Sequence, residues 1–235
     1  MTLLTLVQKT CRRINLNIPN SAYANADPQI QQIVELCNEE GQSSAERYPW
    51  QVLRAEGSFT TVATETQTTL STCAPGFKYL INNTFFDRTL QREIRGPVSP
   101  TEWQLLKAQQ LTGPYYQYTV RGNSILFNPI PTAGESVYFE YISKNWVSNA
   151  AASNTDSTFS ADDDYALLDE DIMLMGIIWR WKQVKGFEYG EDFNKYEARI
   201  ADAMARDGTK PTISMNGSNV DVYPGVRVPS GNWNL

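Results

Sequence analysis

The chain has 235 residues, 41% of them apolar and 20% charged, with a formal net charge of −6 and a pI near 4.8. That length buries roughly 70% of the surface an unfolded chain exposes, so a core forms without disulfide or metal staples, and an aromatic share of 11% argues against disorder. The absence of histidine removes the usual general base, the usual metal ligand and every Ser-His or Cys-His nucleophile, while the acidic balance argues against a protein built to grip nucleic acid.

A first helix is predicted from Thr2 to Asn15, where Leu3, Leu4, Val7, Cys11 and Ile14 recur at helical spacing; Pro19 and its Asn/Ser-rich surroundings end it. A second begins after Asp27, a good N-cap, with Pro28 at the first helical position. Its apolar stripe is Ile30, Ile33, Val34 and Cys37, and the small Gly41 and Ala45 that continue it permit close approach of another helix. Tyr48-Pro49 closes it, because the residue before proline is pushed out of the helical region. From Trp50 to about Trp146, dense Thr, Val, Tyr and Phe punctuated by Gly and Pro predict short strands. The clearest hairpin joins Tyr115–Val120 to Ser124–Phe127 through Arg121-Gly122-Asn123, and a further strand runs from Ser136 to Ile142. A capping box at Ser99-Pro100-Thr101-Glu102 starts a short helix with Trp103, Leu106 and Leu111 as its apolar side.

A polar linker, 148–158, follows. Ser160 with Asp162, Asp163 and Asp164 predicts a helix start, since side-chain oxygens cap free N–H groups and negative charge suits the positive end of the dipole. The predicted helix, Tyr165 to Lys185, is apolar on nearly every side, with Leu168, Ile172, Met175 and Trp179 on one stripe and Leu174, Ile177, Ile178, Trp181 and Val184 on another. Such a helix is central among its neighbours or pressed against another subunit; Arg180, Lys182 and Lys185 before Gly186 give it a cationic end. The last helix, Glu191 to Asp207, turns Phe193, Tyr196, Ile200, Ala203 and Met204 inward and spaces Glu191 with Lys195, and Asp202 with Arg206, as outer pairs. Beyond the stop at Gly208 and Pro211, a Gly/Pro/Asn/Ser-rich segment keeps Val220, Val222, Tyr223, Val226, Val228 and Trp233. The expectation is an α+β fold: an antiparallel helical bundle from 1–50 and 159–207, two helices from each, an inserted β-rich domain over 51–147, the linker, and an extended C-terminal arm over 208–235.

Few residues point to chemistry. Cys11, Cys37 and Cys73 are an odd, widely spaced set without a CxxC pair, so neither a disulfide framework nor a zinc site is indicated, and Cys11 and Cys37 read as core residues. The acids Asp162 to Asp164 with Asp169, Glu170 and Asp171 read first as helix caps and a solvated turn, then as a cation site between subunits, and last as hydrolytic carboxylates, since the glycine and spacing of a calcium loop are missing. Trp179 and Trp181 point to different sides of a helix and make no flat platform for bases. P-loop, GxGxxG and GxSxG patterns are absent. No catalytic, cofactor or metal site is expected. The C-terminal segment is either a disordered tail or, the favoured reading, an arm that orders along another protein. No run approaches the roughly 18 to 20 apolar residues of a membrane span, and no secretion signal opens the chain. The expected place of synthesis and use is the cytosol.

The stretches Phe159 to Gly186 (FSADDDYALLDEDIMLMGIIWRWKQVKG), Glu191 to Pro211 (EDFNKYEARIADAMARDGTKP) and Phe139 to Trp146 (FEYISKNW), within the order of two helices, β-rich insertion, two helices and tail, resemble the head-to-tail adaptor (connector) proteins of tailed phages. The resemblance covers most of the chain. It implies a non-enzymatic structural virion protein at the head–tail interface, forming a ring of twelve under the portal protein, contacting a tail or nozzle protein below, and passing double-stranded DNA without tight binding. By resemblance the arm contacts the portal through Val222, Tyr223, Val226, Val228 and Trp233, and Trp179 and Trp181 pack the ring. Within the virion the rival is a tail-side tube, tail-completion or gatekeeper protein. Outside that class stand a tail-associated cell-wall hydrolase, against which no acid sits in an evident apolar pocket, and a DNA-packaging or regulatory factor, which the charge disfavours.

Overall fold

The computed structural model describes residues 1–109, 113, 115–149 and 155–208. Helix α1, Leu3–Ile14, is capped by Thr2, whose hydroxyl accepts from the Thr5 N–H at 3.3 Å, and is ended by Asn15 in the left-handed region at φ 57°. It buries Leu3, Leu6, Val7, Thr10 and Cys11. Helix α2, Pro28–Arg47, starts as its cap predicts: Asp27 accepts from the Gln29 N–H at 2.9 Å. Gly41 admits not a helix but an indole, for a Cβ there would lie 2.1 Å from the Trp146 ring. That ring arrives from the strand region and seats itself on α2.

A single 3₁₀ turn at Gln51–Leu53 leads into strands β1 (Arg54–Thr60) and β2 (Thr66–Thr69), a four-residue helix α3 (Leu70–Cys73), and strands β3 (Phe77–Leu80), β4 (Phe86–Asp87) and β5 (Arg92–Glu93). Helix α4 (Pro100–Gln109) forms on its capping box: Ser99 Oγ accepts from the Glu102 N–H at 3.3 Å while Glu102 accepts from the Ser99 N–H at 3.1 Å. It buries Trp103 alone, and Leu111 lies outside the described residues. Strands β6 (Gln117–Arg121) and β7 (Ser124–Asn128) pair from Gln117↔Asn128 to Arg121↔Ser124. The turn is therefore the two residues Gly122-Asn123, with Gly122 supplying the positive φ of 61°, and Arg121 belongs to the strand.

Strand β8 (Ser136–Ser143) organises the largest sheet, ordered β1-β8-β4-β5 with β3 also on β8, and runs antiparallel to β1 from Arg54↔Ile142 to Thr60↔Ser136. A second sheet is β2-β7-β6; a third joins β9 (Val147–Ser148), β10 (Thr155–Asp156) and β11 (Tyr165–Ala166) as β10-β9-β11. Residues 165 and 166, expected to be helical, are thus a strand. Helix α5 begins only at Glu170 and runs to Lys185, because Asp169 is the side chain that caps it, accepting from the N–H groups of Asp171 at 2.9 Å and Ile172 at 3.3 Å. Helix α6 spans Gly190–Arg206.

The chain is α+β with antiparallel sheets, and its described residues form two hydrophobic clusters. One gathers α1, α2, α5 and α6 with Trp50, Ile142, Trp146, Val147 and Phe159; α5 packs on each of the other three helices. The other lies among the strands around Phe85, Tyr118, Phe127 and Phe139. Among the described residues no helix is long and apolar enough to cross a membrane.

Candidate functional site

The end of α5 leaves a group of apolar side chains uncovered. Gly186, in the left-handed region at φ 74°, stops the helix, and the Phe187 N–H returns to the Lys182 carbonyl at 2.9 Å. Only three residues, 187–189, separate Gly186 from α6, so the chain reverses tightly and turns Val184 (55% exposed), Phe187 (57%), Tyr189 (37%) and Phe193 (36%) to solvent. The two tryptophans have different surroundings. Trp179, only 9% exposed, packs on Tyr189, Phe193 and Tyr196 with ring centroids 6.3, 5.1 and 6.0 Å away. Trp181 is half-buried and stacks on Phe187 at 5.7 Å. Trp181, not Trp179, therefore forms part of the corner's outer surface.

Behind the corner is a polar knot that the sequence reading missed. Glu40 of α2 is fully buried, contrary to the expectation that no acid sits in an apolar pocket. It accepts from Arg180 Nε at 2.8 Å, Ser44 Oγ at 2.7 Å and the Tyr196 hydroxyl at 2.8 Å, while the other arm of Arg180 reaches Glu39 at 2.7 Å. The slot exists because α5 carries Gly176 opposite: a Cβ there would fall 2.1 Å from Glu40 Cδ. Burial pushes the Glu40 carboxyl above the usual carboxylate range, with its donors pulling the other way. Burial and the neighbouring Glu40 push the Tyr196 phenol up to about 12. Both Glu40 oxygens are engaged, so the knot fixes α2, α5 and α6 against one another. A signal was available for Glu40, three residues after Cys37 and within the apolar stripe; nothing in one sequence announces its pairing with Arg180 and Tyr196.

The acidic stretch before α5 is a clamp rather than a helix start. Asp162 accepts from Ser21 Oγ at 2.7 Å and from the N–H groups of Ala22 at 2.9 Å and Tyr23 at 2.7 Å. Burial alone would raise its pKa; these bonds outweigh that and hold it below the usual carboxylate range. Asp164, itself buried, accepts from Ser160 and Ala161 N–H, and its carbonyl takes the Leu3 N–H at 2.7 Å. The stretch so ties the 15–27 loop and the start of α1 to the approach of α5. Among the described residues no group of three or more His, Cys, Asp or Glu is placed to hold a metal ion. Cys11, Cys37 and Cys73 are buried free thiols, and burial raises the pKa of each.

The arm residues Val222, Tyr223, Val226, Val228 and Trp233 lie outside the described residues. The chain leads toward them from a definite place: Asp207 accepts from the Gln51 N–H at 2.9 Å, beside a cleft of about 320 Å³ lined by Trp50, Val52, Leu168, Ile172, Ala203 and Arg206.

No curated protein is a significant match to the chain. Residues 1–222 match the model of the SU10 adaptor protein family, a span that takes in the polar knot, the acidic clamp and the aromatic corner. The chain belongs to that family, the SU10 adaptor proteins, which are phage head-to-tail adaptors.

Proposed function

We propose that this protein is a non-enzymatic part of the virion that assembles as a ring, of twelve copies, beneath the portal, joins capsid to tail and forms part of the DNA conduit. The observation that carries the reading is a family match over residues 1–222 on a chain that keeps an aromatic corner uncovered at the α5–α6 turn. The helices of 1–50 and 159–207 act as the bundle that builds the ring, with Trp181 packing against a neighbour and Trp179 supporting it from within. The arm docks on the portal through Val222, Tyr223, Val226, Val228 and Trp233, whose apolar character within a Gly/Asn/Ser-rich segment suits a chain that orders on its partner. Twelve copies at −6 each give the ring an acidic character that repels duplex DNA and suits passage rather than retention. The host cytoplasm is the place of assembly, and a tail or nozzle protein the partner below.

The test mixes the full-length protein, and a version ending at Gly208, with portal rings of the same phage, followed by sedimentation and electron microscopy. A ring added by the full chain and lost with the truncated one is the expected result. Binding to tail components without binding to portal would instead make the protein a tail-side tube, completion or gatekeeper component.

A further inference from the structure

Three cations of α1 have no carboxylate partner among the described residues. Lys9, Arg12 and Arg13 are exposed, with Lys9 three and four residues from the two arginines, lie on the side opposite Val7 and Cys11, and make no ion pair among the described residues. The helix dipole accounts for cations in the last turn, but not for Lys9 or for the clustering. Gln8 Nε2 donates to the Pro19 carbonyl at 3.0 Å, which holds the 15–27 loop against this helix and leaves Ile18 and Tyr23 exposed at 50% and 53%. Exposed arginine, tyrosine and aliphatic side chains, here on one helix and the loop it holds, are the composition of a protein contact.

Helix α2 offers the complement. Glu35, Glu39 and Glu46 are exposed and share with Gln31 and Gln42 the side opposite Ile33, Cys37 and Ser44. Through the bond from Arg180 to Glu39 this acidic stripe continues toward the aromatic corner. Within one chain the two faces do not meet: among the described residues no ion pair joins α1 to α2.

We propose that the basic face of α1 docks on the acidic face of α2 in a second copy of this chain. The inference deepens the ring reading and rests on it. A contact between two different faces of one chain is heterologous, the type that builds a ring when its rotation divides a full turn. Charge complementarity sets its register and excludes like-facing pairs. Duplex DNA would also attract three cations, but the chain as a whole is at −6, whereas every neighbouring copy brings the matching carboxylates.

The test uses full-length protein with portal rings and two charge-reversed variants, R12E/R13E and E35K/E46K; Glu39 is left in place because it serves Arg180. Each variant alone should need at least about tenfold more protein to form rings than the natural chain, since like charges then face each other. An equimolar mixture should recover assembly, because alternating copies restore every acid–base contact, and so should the single chain carrying all four changes. The neutral pair R12Q/R13Q should assemble weakly and lose the salt dependence of the natural chain. Unchanged assembly of both reversed variants would overturn the proposal, as would impaired variants that fail to rescue each other, or loss of DNA binding by R12E/R13E with ring formation intact. If the natural chain forms no ring on the portal, the ring reading itself falls and takes this contact with it.

Discussion

In the helical cluster a carboxylate, a guanidinium, a phenol and a serine hydroxyl sit among aliphatic side chains and satisfy one another. In the strand cluster Phe85 stacks on Phe139 at 4.6 Å and on Tyr118 at 4.1 Å, and the buried Tyr118 hydroxyl has no partner among the described residues. Side-chain hydrogen bonds lock the helices against one another, whereas stacked rings fill the space beside strands already held by their ladders. The difference matters for a protein that must present surfaces to neighbours: a polar knot permits one arrangement of α2, α5 and α6, because any slip leaves a buried charge unmatched.

The largest break in this comparison comes from Glu40→Ala. It leaves Arg180 Nε without its carboxylate, and removing one partner of a buried pair costs about 3–5 kcal/mol. The expected loss is near the lower end, about 3 kcal/mol, because Glu39 keeps the other arm of the guanidinium. Urea unfolding should show a lower midpoint with an unchanged slope. A midpoint within experimental error of the natural chain would mean that the knot carries no net stability.

A smaller effect is expected at the clamp. Asp162→Ala removes three bonds to one carboxylate, and charge-assisted bonds of this kind put the loss at about 2 kcal/mol after water reaches the freed N–H groups. Its pH dependence has a definite sign. The folded pKa of Asp162 is depressed, so its contribution is complete above the unfolded value near about pH 4 and is lost as pH falls through that value and then through the folded one. The Ala variant should therefore flatten the acid limb of a stability–pH curve. Glu40 has the opposite sign: its raised carboxyl binds the proton more tightly in the folded chain, so stability falls as pH rises from the unfolded pKa to the folded one. Midpoints measured from about pH 3 to about pH 7 separate the two limbs.

The legible parts of the fold were those decided within a few residues. The apolar spacing of α1, Asp27-Pro28 before α2, the Ser99–Glu102 box and the Gly122 turn each fix a local geometry by local chemistry. Where the outcome depended on a distant partner, local signals misled. Asp162 and Asp164 carry the chemistry of a helix cap, and they do cap free N–H groups, but those of Ala22, Tyr23 and residues 160–161 rather than of a following helix; Asp169 does that work five residues later. Gly41 promised a close approach without saying that the Trp146 indole would make it. The non-sequential order β1-β8-β4-β5 is likewise a property of long-range pairing. For the proposed contacts, Trp181 and the apolar run of α5 were visible in sequence, whereas the exposure of Val184 and Phe187 followed only from the turn at Gly186.

The finest test of the two clusters is one substitution made twice. Tyr196→Phe deletes a hydroxyl that donates to Glu40 at 2.8 Å, leaving a buried carboxylate short of one donor, and a bond to a charged group is worth about 1.5 kcal/mol at least. Tyr118→Phe deletes a hydroxyl that is fully buried with no partner among the described residues and keeps the ring that stacks on Phe85. An unsatisfied buried hydroxyl costs stability, so its removal should leave the fold unchanged or stabilise it by up to about 1 kcal/mol. The same lost oxygen should thus lower the unfolding midpoint in the helical cluster and hold or raise it among the strands. Equal losses at both positions would mean that the Tyr118 hydroxyl is bonded in solution and contributes to the strand cluster as the Tyr196 hydroxyl does to the helical one. A loss at Tyr196 alone would leave ring packing among Phe85, Phe139 and Tyr118, rather than the Tyr118 hydroxyl, as what that side chain contributes beside the strand ladders.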